Sequence, residues 1–172
     1  PAITLNSTTL PQVNEVKYLG IHFDQCLNWK AHILAKRIQL GLKLRQIMWL
    51  LDNKSKMSLD NKLLVYKTII KPIWTYGIQI WGAAAKTNIE IIQRFQSKAL
   101  RIITNAPWYI SNPQIHNDLN MPYVMDEVRS NSMKYMQRIL NHANPLARAL
   151  LDISGQPRRL QRFHPTDLIN RF

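Results

Sequence analysis

Acidic side chains are scarce in this chain: ten aspartates and glutamates face 23 lysines and arginines, a formal net charge of +13 at pH 7. A surface so short of carboxylates suits a polyanion, nucleic acid first, with an acidic membrane or an acidic protein face as the competing partners. Cysteine occurs once, as Cys26. That excludes an internal disulfide framework and a multi-cysteine zinc site, and it fits a reducing compartment. Glycine occurs five times without forming a phosphate-cradling loop, and neither HExxH nor a serine nucleophile elbow is present. No run of about 18 apolar residues occurs, so no membrane span and no membrane partner are expected. The polar opening residues lack the basic flank and apolar block of a signal peptide.

What charge there is lies unevenly. Residues 1–28 carry one basic against two acidic residues, a net of −1; residues 29–105 carry fourteen against three, a net of +11; the remainder carries eight against five, a net of +3. The positive excess therefore belongs to the middle of the chain, where helical patterning is also strongest.

The stretch from Leu59 to Gly82 is the expected centre of the fold. Leu63, Tyr66, Ile70 and Ile73 recur at helical steps, joined by Leu64, Ile69, Trp74, Tyr76, Ile80 and Trp81. Pro72 lacks an N–H and crowds the preceding turn, which predicts a kink or two abutting helices. Before this segment, Ile3 to Leu5 and Val16 to Phe23 read as strands, the second with Leu19, Ile21 and Phe23 on one face, Tyr18 and His22 on the other, and Gly20 marking a close approach. Asn28 is a plausible cap for a helix from Trp29 to Leu51, striped by Ile33, Leu40, Leu44, Ile47 and Leu51 with Lys36, Arg37, Lys43 and Arg45 largely off the stripe. Ser58 caps the central helix. Thr87 and Glu90 suggest a capping box for a third helix, with Ile89, Ile92, Phe95, Ala99 and Ile103 on its apolar face and Arg94, Lys98 and Arg101 as a basic ridge. Asn105 to Pro107 ends it. Trp108 and Tyr109 lie in a turn; Asn112 with Pro113 signals a short helix, Pro122 opens a longer one through Asn141, and Asn144-Pro145 starts a last one, Leu146 to Asp152.

Catalytic chemistry needs convergent groups, and few are available. Asp24 and Asp118 are isolated, Asp126 and Glu127 suit helix-start electrostatics better than a metal, and His22, His32, His116, His142 and His164 lack ligand spacing. The tryptophans of the first two helices read as core, whereas Trp108 and Tyr109 are equally suited to stacking on bases.

Val16-Lys17-Tyr18-Leu19-Gly20-Ile21, Asp24, Leu27, Trp29, His32-Ile33, Tyr66-Lys67, Lys71-Pro72-Ile73-Trp74, Tyr76-Gly77 and Trp81-Gly82 resemble the C-terminal part of the reverse transcriptase of non-LTR (LINE-type) retrotransposons, jockey-like elements in particular. The likeness continues through Ile91 to Lys98, Ala106-Pro107-Trp108-Tyr109 and His164-Pro165-Thr166-Asp167-Leu168. It implies that the Tyr18-Leu19-Gly20 strand is the primer-grip end of a polymerase palm and that the helices beyond are thumb and connection. The family's chemistry is RNA-templated DNA synthesis with two Mg²⁺ ions held by palm aspartates. The motif carrying those aspartates is absent here, and Asp24 does not replace it, so the Mg²⁺ is expected outside this chain.

These readings together give a mainly α fold: a short β-hairpin at the palm edge (1–28), a basic thumb-like helical bundle (29–105), C-terminal helices (106–153) and a basic tail (154–172). The expected function is non-catalytic, gripping a primer-template RNA–DNA hybrid for an RNA-directed DNA polymerase. The expected contacts are Tyr18, Leu19, Gly20, Lys36, Arg37, Lys43, Arg45, Arg94, Lys98 and Arg101, with no catalytic or metal-binding residue. Expected partners are RNA, DNA and the rest of the polyprotein, in nucleus and cytoplasm. The competing reading is a free-standing basic helical module, domesticated from such an element, that binds nucleic acid or an acidic protein.

Overall fold

In the computed structural model, which describes residues 4–5, 8–9, 11, 13–149, 151 and 167–168, the chain is mainly helical with short strands at its start. Strands β1 (Thr4–Leu5) and β2 (Thr8–Thr9) form one antiparallel pair and β3 (Glu15–Tyr18) and β4 (Ile21–Asp24) a second. The stretch expected as one strand over 16–23 is thus itself a hairpin. Leu19 and Gly20 both take positive φ, 45° and 75°, the geometry of a two-residue turn whose twist matches its strands. A leucine in that position is uncommon, which is why the period-two pattern read through it. Leu19 consequently leaves the face assigned to it and is exposed, while Ile21 is buried. Gly20 is explained by its φ rather than by close approach, since a Cβ there would meet Tyr76 at an ordinary 3.5 Å.

Asp24 turns the chain from β4 into the first helix. One carboxylate oxygen accepts from the N–H groups of Cys26 (3.2 Å) and Asn28 (2.8 Å), the other from that of Trp29 (2.7 Å). Trp29, in left-handed backbone, then precedes α1 (Lys30–Gln46) with no side-chain cap. Asn28 is not the cap that the sequence suggested: the Asp24 carboxylate takes that work, and the Asn28 carbonyl accepts from the Asn88 side chain. A break at Ile47 separates α1 from α2 (Met48–Leu51). The stripe Ile33, Leu40, Leu44, Ile47 and Leu51 is buried as expected. Trp49, however, is exposed, because the break turns it away from the core it was expected to join.

The Ser58 hydroxyl accepts from the Asn61 N–H and starts α3 (Leu59–Val65). The proline effect appears as a wider π-type turn over Tyr66–Ile70, ahead of α4 (Lys71–Thr75). Such a turn relieves the carbonyl that the Pro72 ring would crowd. Gly77, at φ 66°, then reverses the chain into α5 (Ile78–Trp81). Tyr66, Ile70, Trp74, Ile78 and Trp81 are all at most 1% exposed, which makes this segment the centre of the core; Leu64, Tyr76 and Ile80 face outward.

Helix α6 (Lys86–Thr104) begins one residue before Thr87, with the Ala85 carbonyl accepting from the Asn88 and Ile89 N–H groups, so the Thr87 capping box does not form. Its expected apolar face is buried throughout. Asn105, left-handed at φ 51°, ends it. Ser111 rather than Asn112 caps α7 (Asn112–Asp118), and α8 (Val124–Leu140) and α9 (Pro145–Ala149) follow. Helix α1 packs on α6, α4 and β4; α8 covers α5 and α6. A partly buried ion pair from Lys71 to Glu127 ties α4 to α8. Leu168 is fully buried and Asp167 partly buried, while residues 154–166 and 169–172 of the stretch expected as a basic tail lie outside the described residues.

Candidate nucleic-acid interface

The Leu19 carbonyl in the hairpin turn is bonded to a side chain of the central segment. Tyr76, just after α4, donates its hydroxyl proton to the Leu19 carbonyl at 2.7 Å. Above its ring, 5.4 Å from the centroid, stands the ammonium of Lys36 from α1. Tyr18, Leu19, Gly20 and Lys36, named separately from the sequence, therefore meet at one place, with Tyr18 and Leu19 more than 60% exposed. The pKa of Lys36 is lowered, first by burial and then by the charge of Lys17 on β3. Neither lysine has a carboxylate partner among the described residues. Beneath them His32 is buried, its Nδ1 accepting from the His22 N–H at 3.3 Å. Burial, then Lys36, then His22 pushes its pKa down to about 4, so it is neutral at physiological pH.

Around α1 the four expected cations divide. Lys36 goes to Tyr76, whereas Arg37, 100° further round, lays its guanidinium over the Phe95 ring of α6, 5.0 Å from the centroid. Gly41 leaves the room, since a Cβ there would lie 3.1 Å from the Arg37 Nη1. Lys43 falls on the Lys36 side and Arg45 on the Arg37 side. The helix therefore presents two basic flanks, not one continuous saddle. Leu34, Ile38 and Leu42 are exposed on its outward side.

Arg37 reaches the turn of α6 that carries Arg94 and Lys98, both exposed. Arg101, one turn further on, is occupied. Its Nε donates to the Asn112 carboxamide oxygen (3.0 Å), one Nη to the Pro107 carbonyl (3.2 Å) and the other to the Ile110 carbonyl. All three acceptors are neutral, so its donors are used while its charge is not cancelled. Between α6 and α7 lies a cavity of about 440 Å³ lined by Arg94, Lys98 and Arg101 among others, and, among the described residues, by no carboxylate. Its floor is a polar network. His116 Nδ1 donates to the Met121 carbonyl (2.8 Å), which leaves Nε2 to accept from the Gln93 amide (3.2 Å); Gln93 Oε1 accepts from the Val124 N–H (2.8 Å). Tyr123 stacks on the His116 ring at 4.2 Å.

Sequence reading did not single out Lys17 or the Gln93–His116 network, and it counted Tyr76 among the aromatics of the central stretch and as a candidate to stack on bases. Lys17, Tyr76 and Gln93 all stood within the segments that carried the family resemblance, which was the available signal. The carboxylates are largely committed: Asp24 to the turn before α1, Glu15 to His22 (2.6 Å), Glu127 to Lys71 and Asp126 to the Tyr123 N–H (3.2 Å). Among the described residues no three of histidine, cysteine, aspartate and glutamate come together as a group that could hold a metal ion.

No family model matches the chain, and no solved structure matches it. Curated relatives do. The chain is 42% identical over 171 residues to a probable RNA-directed DNA polymerase from transposon X-element of Drosophila melanogaster, covering 99% of this chain and 19% of the relative. It is 38% identical over 179 residues to the RNA-directed DNA polymerase from mobile element jockey of Drosophila funebris, covering 99% and 20%. To a probable RNA-directed DNA polymerase from transposon BS of Drosophila melanogaster it is 40% identical over 161 residues, covering 93% and 18%. The chain spans about a fifth of the length of these relatives, and nearly all of it is similar to RNA-directed DNA polymerases of transposable elements, jockey among them, as the resemblance read from its motifs implied.

Proposed function

We propose that this chain is the C-terminal, primer-grip and thumb-like portion of a retrotransposon RNA-directed DNA polymerase, and that it holds a primer-template RNA–DNA hybrid without itself adding nucleotides. The observation that carries this is the junction at the hairpin turn. Lys36, its pKa lowered by burial and then by the charge of Lys17, lies on Tyr76, which fixes an exposed two-residue turn to the core. Like charges held near each other raise the free energy of the empty site, and a phosphate between them lowers it. The turn offers backbone and the flat Tyr18 ring, suited to following a sugar-phosphate strand rather than reading bases. Arg37 adds a charge at the α1–α6 crossing, and Arg94 and Lys98 add exposed charge on α6.

Titrating a fluorescent RNA–DNA hybrid with the chain at several salt concentrations tests this. The logarithm of the affinity should fall linearly with the logarithm of salt, by about 0.9 for each phosphate neutralised on B-DNA and by a comparable amount on a hybrid. Absence of binding, or binding indifferent to salt, contradicts the proposal. Incubated with primed RNA, Mg²⁺ and deoxynucleotides, the same preparation should extend nothing.

A further inference from the structure

The turn after α6 carries an exposed aromatic pair that the hybrid grip does not use, and we infer that it is a stacking site for an unpaired stretch of nucleic acid leaving or entering the duplex. The inference rests on the proposed nucleic-acid function and adds a second site with a different ligand. Trp108 is 90% exposed and Tyr109 68%, at the two central positions of a turn closed by the Ile110 N–H donating to the Pro107 carbonyl at 3.1 Å. Large rings normally turn inward, because a buried ring removes much apolar area from water. Here the protein holds them outward. Arg101 donates to the carbonyls at both ends of that turn and, through Asn112, fixes it to the start of α7. The two rings stand edge to face with centroids 6.0 Å apart. A turn clamped at both ends has already lost most of the conformational freedom that binding would otherwise remove.

Charge chooses the ligand. Arg94, Lys98 and Arg101 line the cavity between α6 and α7, and Arg101, the last of them, also holds the turn through the Pro107 and Ile110 carbonyls. At 1.5 Å per residue, Arg94 and Arg101 are separated by about 10 Å along the helix axis. A row of cations ending in exposed ring faces is the combination that binds single strands: the cations follow phosphates and the rings take bases. A duplex cannot use the rings, since its bases are already stacked on one another except at its ends. An acidic peptide would satisfy the cations but has no reason to want an indole and a phenol held rigidly outward.

The test compares a fluorescent single-stranded oligonucleotide with an RNA–DNA hybrid of closed ends, using the full chain and the variants W108A, W108F and K98E. Trp108 is on the surface, so W108A should melt at the wild-type temperature. It should bind the single strand roughly tenfold more weakly, within the range of one lost base–aromatic stack. W108F should recover most of that loss, and hybrid affinity should stay unchanged. K98E should weaken single-strand binding and flatten its salt dependence by about one phosphate contact. If W108A binds the single strand as wild type does while K98E still weakens it, the stacking site is wrong although the nucleic-acid function stands. Equal losses on strand and hybrid also overturn it, as does displacement by poly-glutamate at the concentrations at which the oligonucleotide itself competes. Failure of the wild type to bind either nucleic acid overturns both proposals together.

Discussion

At the hairpin end of the molecule the cations are set against rings and against one another; at the α6–α7 end they either face water or serve as brackets. Lys36 lies on Tyr76, its ammonium partly withdrawn from solvent and its pKa lowered by that burial and by the charge of Lys17. Arg94 and Lys98 are exposed, and Arg101 holds a turn by three donated hydrogen bonds. A fixed, partly dehydrated charge favours one ligand position, because moving away from it loses an interaction that water screens little. A row of hydrated charges favours many positions almost equally. The hairpin end is accordingly suited to fixing the register of a duplex and the α6 end to letting a strand slide, a difference that follows from packing and not from the number of charges.

Substitution at Gly77 should separate the two ends most severely. Its φ of 66° costs an L-residue about 1–2 kcal/mol, and a Cβ would lie 2.8 Å from Ile21 Cδ1, the contact that seats the hairpin, adding about 1–3 kcal/mol. Gly77→Ala should therefore destabilise by about 4 kcal/mol in denaturant titration and weaken hybrid binding while single-strand binding persists in the protein that remains folded.

Acid should act next, and on the same end. The pKa of His32 is about 4 in the fold against 6.5 for the free group, so the unfolded chain binds a proton that the folded one refuses between those values. Its contribution to stability is complete above pH 6.5 and is lost as pH falls towards 4, to a total of at most about 3 kcal/mol. Thermal melts at pH 7, 5.5 and 4 should show this loss, and His32→Phe should reduce it.

At the other end, removing the bracket should cost less and stay local. Arg101→Ala leaves two carbonyls and a carboxamide without a charged donor, about 2 kcal/mol where water can partly replace it. Limited proteolysis should find new cleavage between residues 105 and 112, with the hairpin end unaffected. The smallest effect should come from Tyr76→Phe, which removes one hydrogen bond to the Leu19 carbonyl but keeps the ring beneath Lys36: about 1 kcal/mol by denaturation, with a hybrid affinity reduced only slightly.

How much of this was legible in the sequence depended on whether local and tertiary preferences agreed. In α6 they did: its apolar positions and its cations fall on opposite faces, and every expected core residue is buried. Helix α1 has apolar residues on both sides, Leu40 and Leu44 inward and Leu34, Ile38 and Leu42 outward, so its period gave the buried stripe but not the division of its cations. The break at Ile47, without glycine or proline to announce it, hid the exposure of Trp49. The turn at Leu19 and Gly20 passed for a strand interior because leucine rarely takes positive φ. For the candidate site, Lys36 and the Tyr18 to Gly20 turn could be named, but their meeting at Tyr76 spans 57 residues and no local pattern encodes it. A second role of Arg101 was hidden for a similar reason: its spacing matched a ridge, and only the path of the following loop makes it a clamp as well.

The placing of the duplex at the hairpin end is tested most directly by two charge reversals of equal size, Lys36→Glu beside the hairpin and Lys134→Glu on the exposed outer side of α8. Hybrid binding is measured for each across a range of salt concentrations. Lys36→Glu should lower the affinity and reduce the salt slope by about one phosphate contact, roughly 0.9, while Lys134→Glu leaves both close to wild type. Equal effects from the two variants would mean that net charge alone drives binding, and the hairpin junction would not be where the duplex sits.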